Sequence, residues 1–281
     1  LDRFRHLILT PFNIRTAGAP GLDEGWLAHR FELFETFCYP AIRAQTCRDF
    51  RWLVFLDPDT PAGFQRRIED LGSDSPLEPV YIPKMEDYRR PTLERIGADV
   101  THVITTTLDN DDAVATSFVE RVQAEFRGQD FEFVNFLHGY RLDLRKRRLY
   151  AHAIRVNPFI SLIERNGEGV RTMRGCGPHD HLASKFPQIR DVATEPLWLQ
   201  VVHGRNIAVT GVWGCRRVPL SVLQDRFALT GGIAAVREAA LPMRIENVRR
   251  RLERALIRLL GSRGDAAARK ALRAVRRLRA R

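Results

Sequence analysis

The chain has 281 residues with 45 Lys/Arg against 34 Asp/Glu, a net charge of +11 and four cysteines. This length suits one large α/β domain, alone or with an appendage, and excludes a chain too small to bury a core. No run approaches the ~20 apolar residues of a membrane span. Residues 1–10 read as a strand and not as a secretory signal. Cys38, Cys47, Cys176 and Cys215 form no CxxC pair and are too sparse for a disulfide scaffold, so they read as reduced thiols of a cytosolic protein. Zinc on Cys176 with His179 and His181 is disfavoured, because no paired-cysteine spacing accompanies them.

In chain order, His6–Thr10 predicts a buried strand stopped by Pro11. Residues Leu27, Phe31, Phe34, Cys38 and Ile42 recur at helical spacing, so a helix is predicted over 27–44, kinked or ended near Pro40. Residues 50–56 predict a second strand, 61–71 a helix, 80–82 a short strand, 90–96 a helix, and 100–108 a strand rich in β-branched residues. Strand–helix alternation of this kind implies a mainly parallel sheet with helices on both faces. Ligands collect at the carboxyl ends of such strands, where Asn13, Asp57 and the run Asp109-Asn110-Asp111-Asp112 fall. Further on, 131–140 and 149–156 predict a hairpin across a charged RKRR turn, and 197–203 another strand.

The acidic run is the strongest chemical signal. Three carboxylates within four residues at the end of a buried strand repel one another and are costly to bury without a cation. Mg²⁺ or Mn²⁺ bridging them to a diphosphate relieves that repulsion, because both ions favour oxygen ligands and accept substrate phosphates. A solvated turn or a helix N-cap is the competing reading. His203 ends an apolar strand and is a candidate metal ligand, or a histidine bonded to backbone. Arg205 beside it is a candidate bidentate donor to a diphosphate, weighed down by the many other arginines of the chain. His179-Asp180-His181 follows the turn Gly175-Cys-Gly-Pro178 and offers a general base, or else an N-cap for a short helix over 182–185. An HD-type phosphohydrolase shares the His-Asp pair but is helical, unlike this strand-rich chain. Trp52 and Trp198 lie inside apolar strands and read as core, whereas Trp213 between two glycines is a candidate sugar platform.

The runs FRWLVFLDPDTP and VTHVITTTLDNDDAV resemble the second strand and the strand-then-DxD segment of GT-A glycosyltransferases of family 2. More narrowly, FETFCYPAIRAQTCRDFRWLVFLDPDTP with TTLDNDDAV resembles a bacterial family described as rhamnosyltransferases, over roughly residues 5–230. The resemblance implies a GT-A fold and an inverting, metal-dependent transfer from a nucleoside diphosphate sugar to a hydroxyl acceptor. It does not carry the sugar over. It further implies Asp111 on the metal, with Asp109 on the metal or the donor ribose or sugar. Asp112 would support either. Asp57 is implied near the base, Asn13 and Arg15 near the nucleotide, His203 as a further metal ligand, and Asp180 as base ahead of His179 and His181. A sugar-phosphate nucleotidyltransferase is the rival, weakened because Pro11-Phe12-Asn13 replaces a Gly-rich phosphate loop. A non-catalytic protein with a degenerate transferase domain is the second.

Residues 244–281 hold 14 Lys/Arg and 3 Asp/Glu, so they carry the whole charge excess, and the 31 basic and 31 acidic residues elsewhere balance. The chain therefore divides into a catalytic domain over 1–240 and a basic amphipathic tail over 241–281. Such a tail suits an anionic membrane surface at the inner face of the cytoplasmic membrane, with a glycan or lipid-linked acceptor. Packing on the domain or an oligomer contact are the alternatives. Nucleic acid is not expected, because no base-reading motif accompanies the charge.

Overall fold

A computed structural model describes residues 3–14, 22–206, 215–233 and 242–252. Along β1 (Phe4–Pro11) successive side chains point to opposite faces, so Ile8 joins one apolar cluster while Leu7 and Leu9 join another. The same division recurs in β2 (Arg51–Leu56), with Trp52, Val54 and Leu56 on one side and Leu53 and Phe55 on the other. Strands apolar on both faces must be covered on both. α1 (Glu24–Leu33) covers the first face through Leu27 and Phe31, and Tyr88, Ile96 and Val100 cover the second.

β1 pairs in parallel with β2 and with β4 (His102–Thr107), and β2 with β3 (Leu77–Tyr81). β6 (Phe131–Phe136) and β9 (Ser161–Arg165) extend the sheet through antiparallel pairs, and β10 (Ile189–Val192) closes that edge in parallel with β6. The resulting order is β10-β6-β9-β4-β1-β2-β3. The predicted mainly parallel sheet with helices on both faces is the observed architecture. β3 starts earlier than predicted because it takes in Pro79, which an edge strand tolerates.

A second sheet, unforeseen in the sequence, contains β5 (Ala113–Val114), β7 (His138–Asp143), β8 (Arg148–Ala153), β11 (Trp198–Val202) and β12 (Arg216–Val218), in the order β12-β8-β7-β11-β5. The single strand predicted over 131–140 is thus two, and the chain changes sheets at Leu137. Its backbone N–H donates to Val192 and its carbonyl accepts from Ile154, at 3.0 Å each. The predicted hairpin is present as β7 and β8. Gly139 of β7 faces the fully buried Trp198 so closely that a Cβ would lie 2.0 Å from the indole.

The helix predicted over 27–44 runs from Glu24 to Arg43 as α1, a wide turn over Phe34–Cys38, and α2 (Tyr39–Arg43). Pro40 has no N–H for the carbonyl of Thr36. That carbonyl instead accepts from Thr230 at 3.1 Å, and Tyr39 N–H reaches back to Phe34. This is how the proline is accommodated without a break. α3 (Ala62–Gly72) agrees with its prediction, and α4 (Arg89–Leu93) is shorter than predicted, preceded by a tight turn over Met85–Tyr88. α5 (Phe118–Ala124), which follows the acidic run, was not foreseen.

Candidate functional site

β1 lies between β2 and β4, so the loops after these three strands meet at one end of the sheet. Asn13 ties them together. Its side chain donates to Thr60 at 2.9 Å and accepts from Asp57 N–H at 3.2 Å, while Asn110 donates to the Phe12 carbonyl at 3.1 Å. Asp57 is fully buried and its Oδ1 accepts from Asp59 N–H at 2.8 Å. Asn13 and Asp57 thus brace the rim of the site.

The acidic run is divided by its partners. Asp112 turns into the protein, where its Oδ1 accepts from Val201 N–H of β11 at 2.7 Å. Burial, with the charges of Asp111 and Asp109 adding to it, pushes this carboxyl well above the usual range. Asp111 turns to a set of donors. Its Oδ2 lies 2.9 Å from Arg30 Nη1, 2.9 Å from His203 Nε2 and 3.4 Å from Asn206 Nδ2. Burial would raise its pKa, yet the hydrogen bond from His203 and the charge of Arg30 outweigh burial and lower it, so the carboxylate is held ionised. Arg30 also donates to Asn110 Oδ1 through Nη2. Behind His203 stands His29, with Nε2 3.4 Å from His203 Nδ1 and the two rings edge-on.

Asp109 is the outermost member, its side chain half exposed and 3.7 Å from Arg174 Nη2. It lines a cavity of ≈ 310 Å³ with Tyr88, Thr107, Arg174 and His179. α6 (Thr172–Gly175) carries Arg174 and is aimed by a buried carboxylate, since Glu164 of β9 accepts from the N–H groups of Arg171 and Thr172 at 2.8 Å each. Thr172 is held there at φ 62, a left-handed conformation that disfavours β-branched residues, and Val156 stands at φ 56. Strain of this kind, about 1–3 kcal/mol per residue, gathers where a site requires a fixed shape.

His179 also lines a second cavity of ≈ 610 Å³ with Val156, Asp180, Phe186 and Asp191, so this imidazole borders both spaces. Burial lowers its pKa, partly offset by the charges of Asp109 and Asp180, so the ring is neutral at neutral pH. Asp180 is exposed and borders only the second cavity, and His181 is exposed and borders neither. α7 (Leu182–Lys185) follows at the predicted position. Cys176 packs with Phe133, Ile160, Leu162 and Met173 in an apolar cluster.

Asp111 and His203 are the two side chains here that could hold a divalent ion. Asp111 Oδ2 and His203 Nε2 are 2.9 Å apart, close to the ~3.0 Å edge between adjacent octahedral ligands with bonds of ~2.1 Å. Among the described residues no group of three or more His, Cys, Asp or Glu side chains is gathered for an ion. Mg²⁺-like ions nevertheless take one or two protein ligands and complete their shell with substrate phosphates and water. In that mode Asp111 and His203 would be the protein ligands, once the His203 proton and the Arg30 guanidinium leave the carboxylate oxygen they now share.

Arg205 is exposed beside this cluster, while Arg15 and Trp213 lie outside the described residues. Trp52 and Trp198 are fully buried core, as predicted. Arg30, Arg174, Asn206 and His29 were missed. A signal for Arg30 existed, since it follows Leu27 by three residues and precedes Phe34 by four, on the apolar face of its helix.

Residues 16–212 match the model of a family described as "Putative rhamnosyl transferase". No curated protein matches the chain. Among solved structures, S. aureus TarS 1–349 aligns with a TM-score of 0.42 and 9% identity over 70% of this chain and 60% of that one. The same TarS segment in complex with UDP-GlcNAc gives 0.43 and 9% over 75% and 63%. HddC from Yersinia pseudotuberculosis gives 0.37 and 10% over 69% and 92%. The chain therefore spans less than two thirds of these TarS chains.

Proposed function

Because the chain belongs to the rhamnosyl transferase family whose model matches residues 16–212, and so is a glycosyltransferase, we propose that it moves a sugar from a nucleoside diphosphate donor to a hydroxyl acceptor, with inversion. The observation that carries this reading is the Asp111 carboxylate at the carboxyl end of the central strands, met at 2.9 Å by both His203 and Arg30.

In this reading Asp111 and His203 would hold Mn²⁺ or Mg²⁺, with Asp109 facing the donor. Such an ion would supply charge neutralisation for the departing diphosphate. Arg174 and Arg30 flank the acidic run and contribute fixed positive charge where negative charge develops. His179 takes the proton of the acceptor hydroxyl at an imidazole nitrogen as that oxygen attacks the anomeric carbon. Support for His179 over Asp180 comes from its position between the two cavities and its neutral ring. The cavity beside Asp109 suits the donor sugar, and the larger one suits the acceptor, a glycan or a lipid-linked sugar. Nucleotidyl transfer, the rival in the sequence, is not the reaction that the family describes.

The test is release of nucleoside diphosphate from a panel of UDP-, dTDP-, GDP- and CDP-sugars with Mn²⁺, with and without candidate acceptors. One donor is expected to be consumed, and Asp111→Ala to abolish its consumption. Indifference of all donors to that substitution would sink the reading.

A further inference from the structure

Among the described residues the exposed large hydrophobic side chains are Ile245, Val248 and Leu252, at 63%, 57% and 66% exposure. All three lie on the helical residues 242–252, spaced three and four apart, so they form one stripe. An amphipathic helix on a globular body normally turns such a stripe inward. Here the polar side is turned inward instead. Glu246 is buried and accepts from Tyr150 Oη at 3.1 Å, Arg217 Nη1 at 3.0 Å and Arg250 Nη2 at 2.9 Å. Asn247 accepts from Arg217 N–H at 2.7 Å and donates to its carbonyl at 2.9 Å. The Arg250 guanidinium lies 4.4 Å from the centre of the Tyr150 ring. These contacts fix the helix to β8 and β12 and fix which face looks outward.

We propose that this outward stripe is a membrane-docking surface that seats on an anionic lipid bilayer. Charge complementarity selects the occupant. Arg244, Arg249 and Arg251 are exposed around the stripe, and no acidic residue is exposed along 242–252. The stretch from 244 to 281 carries the chain's entire positive excess. A basic helix with an apolar stripe binds through both properties together, the apolar side chains entering the headgroup boundary while the arginines meet lipid phosphates. A second copy of the chain is disfavoured, because a self-complementary contact through this face sets arginines against arginines. The proposal does not depend on the reaction at the other site.

The experiment is co-sedimentation of the full chain with phosphatidylcholine vesicles and with vesicles that also contain phosphatidylglycerol. Wild type is compared with the triple variant Ile245→Ser, Val248→Ser, Leu252→Ser. These side chains are exposed, so the variant's melting temperature should match wild type, which a thermal scan checks. Binding is expected only to the anionic vesicles, weakened about tenfold or more in the triple variant. The proposal is overturned by no binding to anionic vesicles. It is equally overturned by binding that the triple variant leaves unchanged, or by a dimer in sedimentation velocity that the variant abolishes while vesicles bind neither form.

Discussion

His203 Nε2 lies 2.9 Å from Asp111 Oδ2, joining the end of β11 to the loop after β4 across 92 positions of sequence. Beside an ionised carboxylate Nε2 is the donor of that contact, and His29 Nε2 lies 3.4 Å from Nδ1 on the other side of the ring. To hold an ion through Nε2, His203 must shift that proton to Nδ1 and donate it to His29, the outer-shell arrangement usual for a ligating histidine.

His203→Ala is therefore expected to weaken Mn²⁺ binding in the presence of diphosphate by about tenfold or more, measured by electron paramagnetic resonance. His29→Ala should do so more mildly. An unchanged Mn²⁺ affinity in His203→Ala would remove the histidine from the ion's shell and leave it a structural partner of Asp111.

His179→Ala is expected to lower kcat by about 10²–10⁴-fold, the usual range for a lost general base, and Asp180→Ala by far less. A base works when unprotonated, and burial lowers the His179 pKa. The acid limb of the kcat/KM profile should thus lie below the ordinary imidazole value of about 6.5. A pH profile unaltered by His179→Ala would reassign the role.

Much of the frame was legible because short-range physics writes it. The β-branched run ending at Asp109 announced a buried strand, and β1, β2 and β4 placed Asn13, Asp57 and the acidic loop side by side through parallel pairing. The roles within that loop were not legible. Asp112 is turned inward by the N–H of Val201, some ninety residues away, and the place of Arg30 on the apolar face of its helix marks it as unusual without naming Asp111 as its partner. The second sheet was hidden for a related reason. The run FEFVNFLHGY has no turn residue at Leu137, and only the pairing partners on either side split it between two sheets.

Gly139→Ala tests that second sheet. The new methyl would meet the Trp198 ring at 2.0 Å, and the ring is fully buried, with Nε1 donating to the Phe136 carbonyl at 2.8 Å. Overpacking of this kind costs about 1–3 kcal/mol or more, read as a lower urea midpoint at unchanged slope. A midpoint within error of wild type would show that β7 and β11 are not so closely apposed.

His6 sets an acid limit on stability. It is buried, bonded to Thr106 Oγ1 at 2.9 Å, and burial lowers its pKa from 6.5 to about 3. The folded state therefore holds this ring neutral while the unfolded chain protonates it below about pH 6.5. Its contribution is fully present above that pH and is lost as pH falls toward 3, by about 2 kcal/mol at pH 5. His6→Gln should flatten the fall in urea stability between pH 7 and pH 5. An equally steep fall in the variant would assign it to other groups.

If Asp111 holds an ion, that ion in turn holds a nucleoside diphosphate. The most direct measurement is the thermal unfolding midpoint with UDP, dTDP, GDP or CDP, each with and without Mn²⁺, for wild type and Asp111→Asn. A ligand that binds only the folded state must raise the midpoint. One diphosphate should do so only with Mn²⁺, and Asp111→Asn, with an unchanged circular dichroism spectrum, should lose the rise. A midpoint that no diphosphate moves at saturation, or a rise that persists in Asp111→Asn, would contradict an ion held on Asp111.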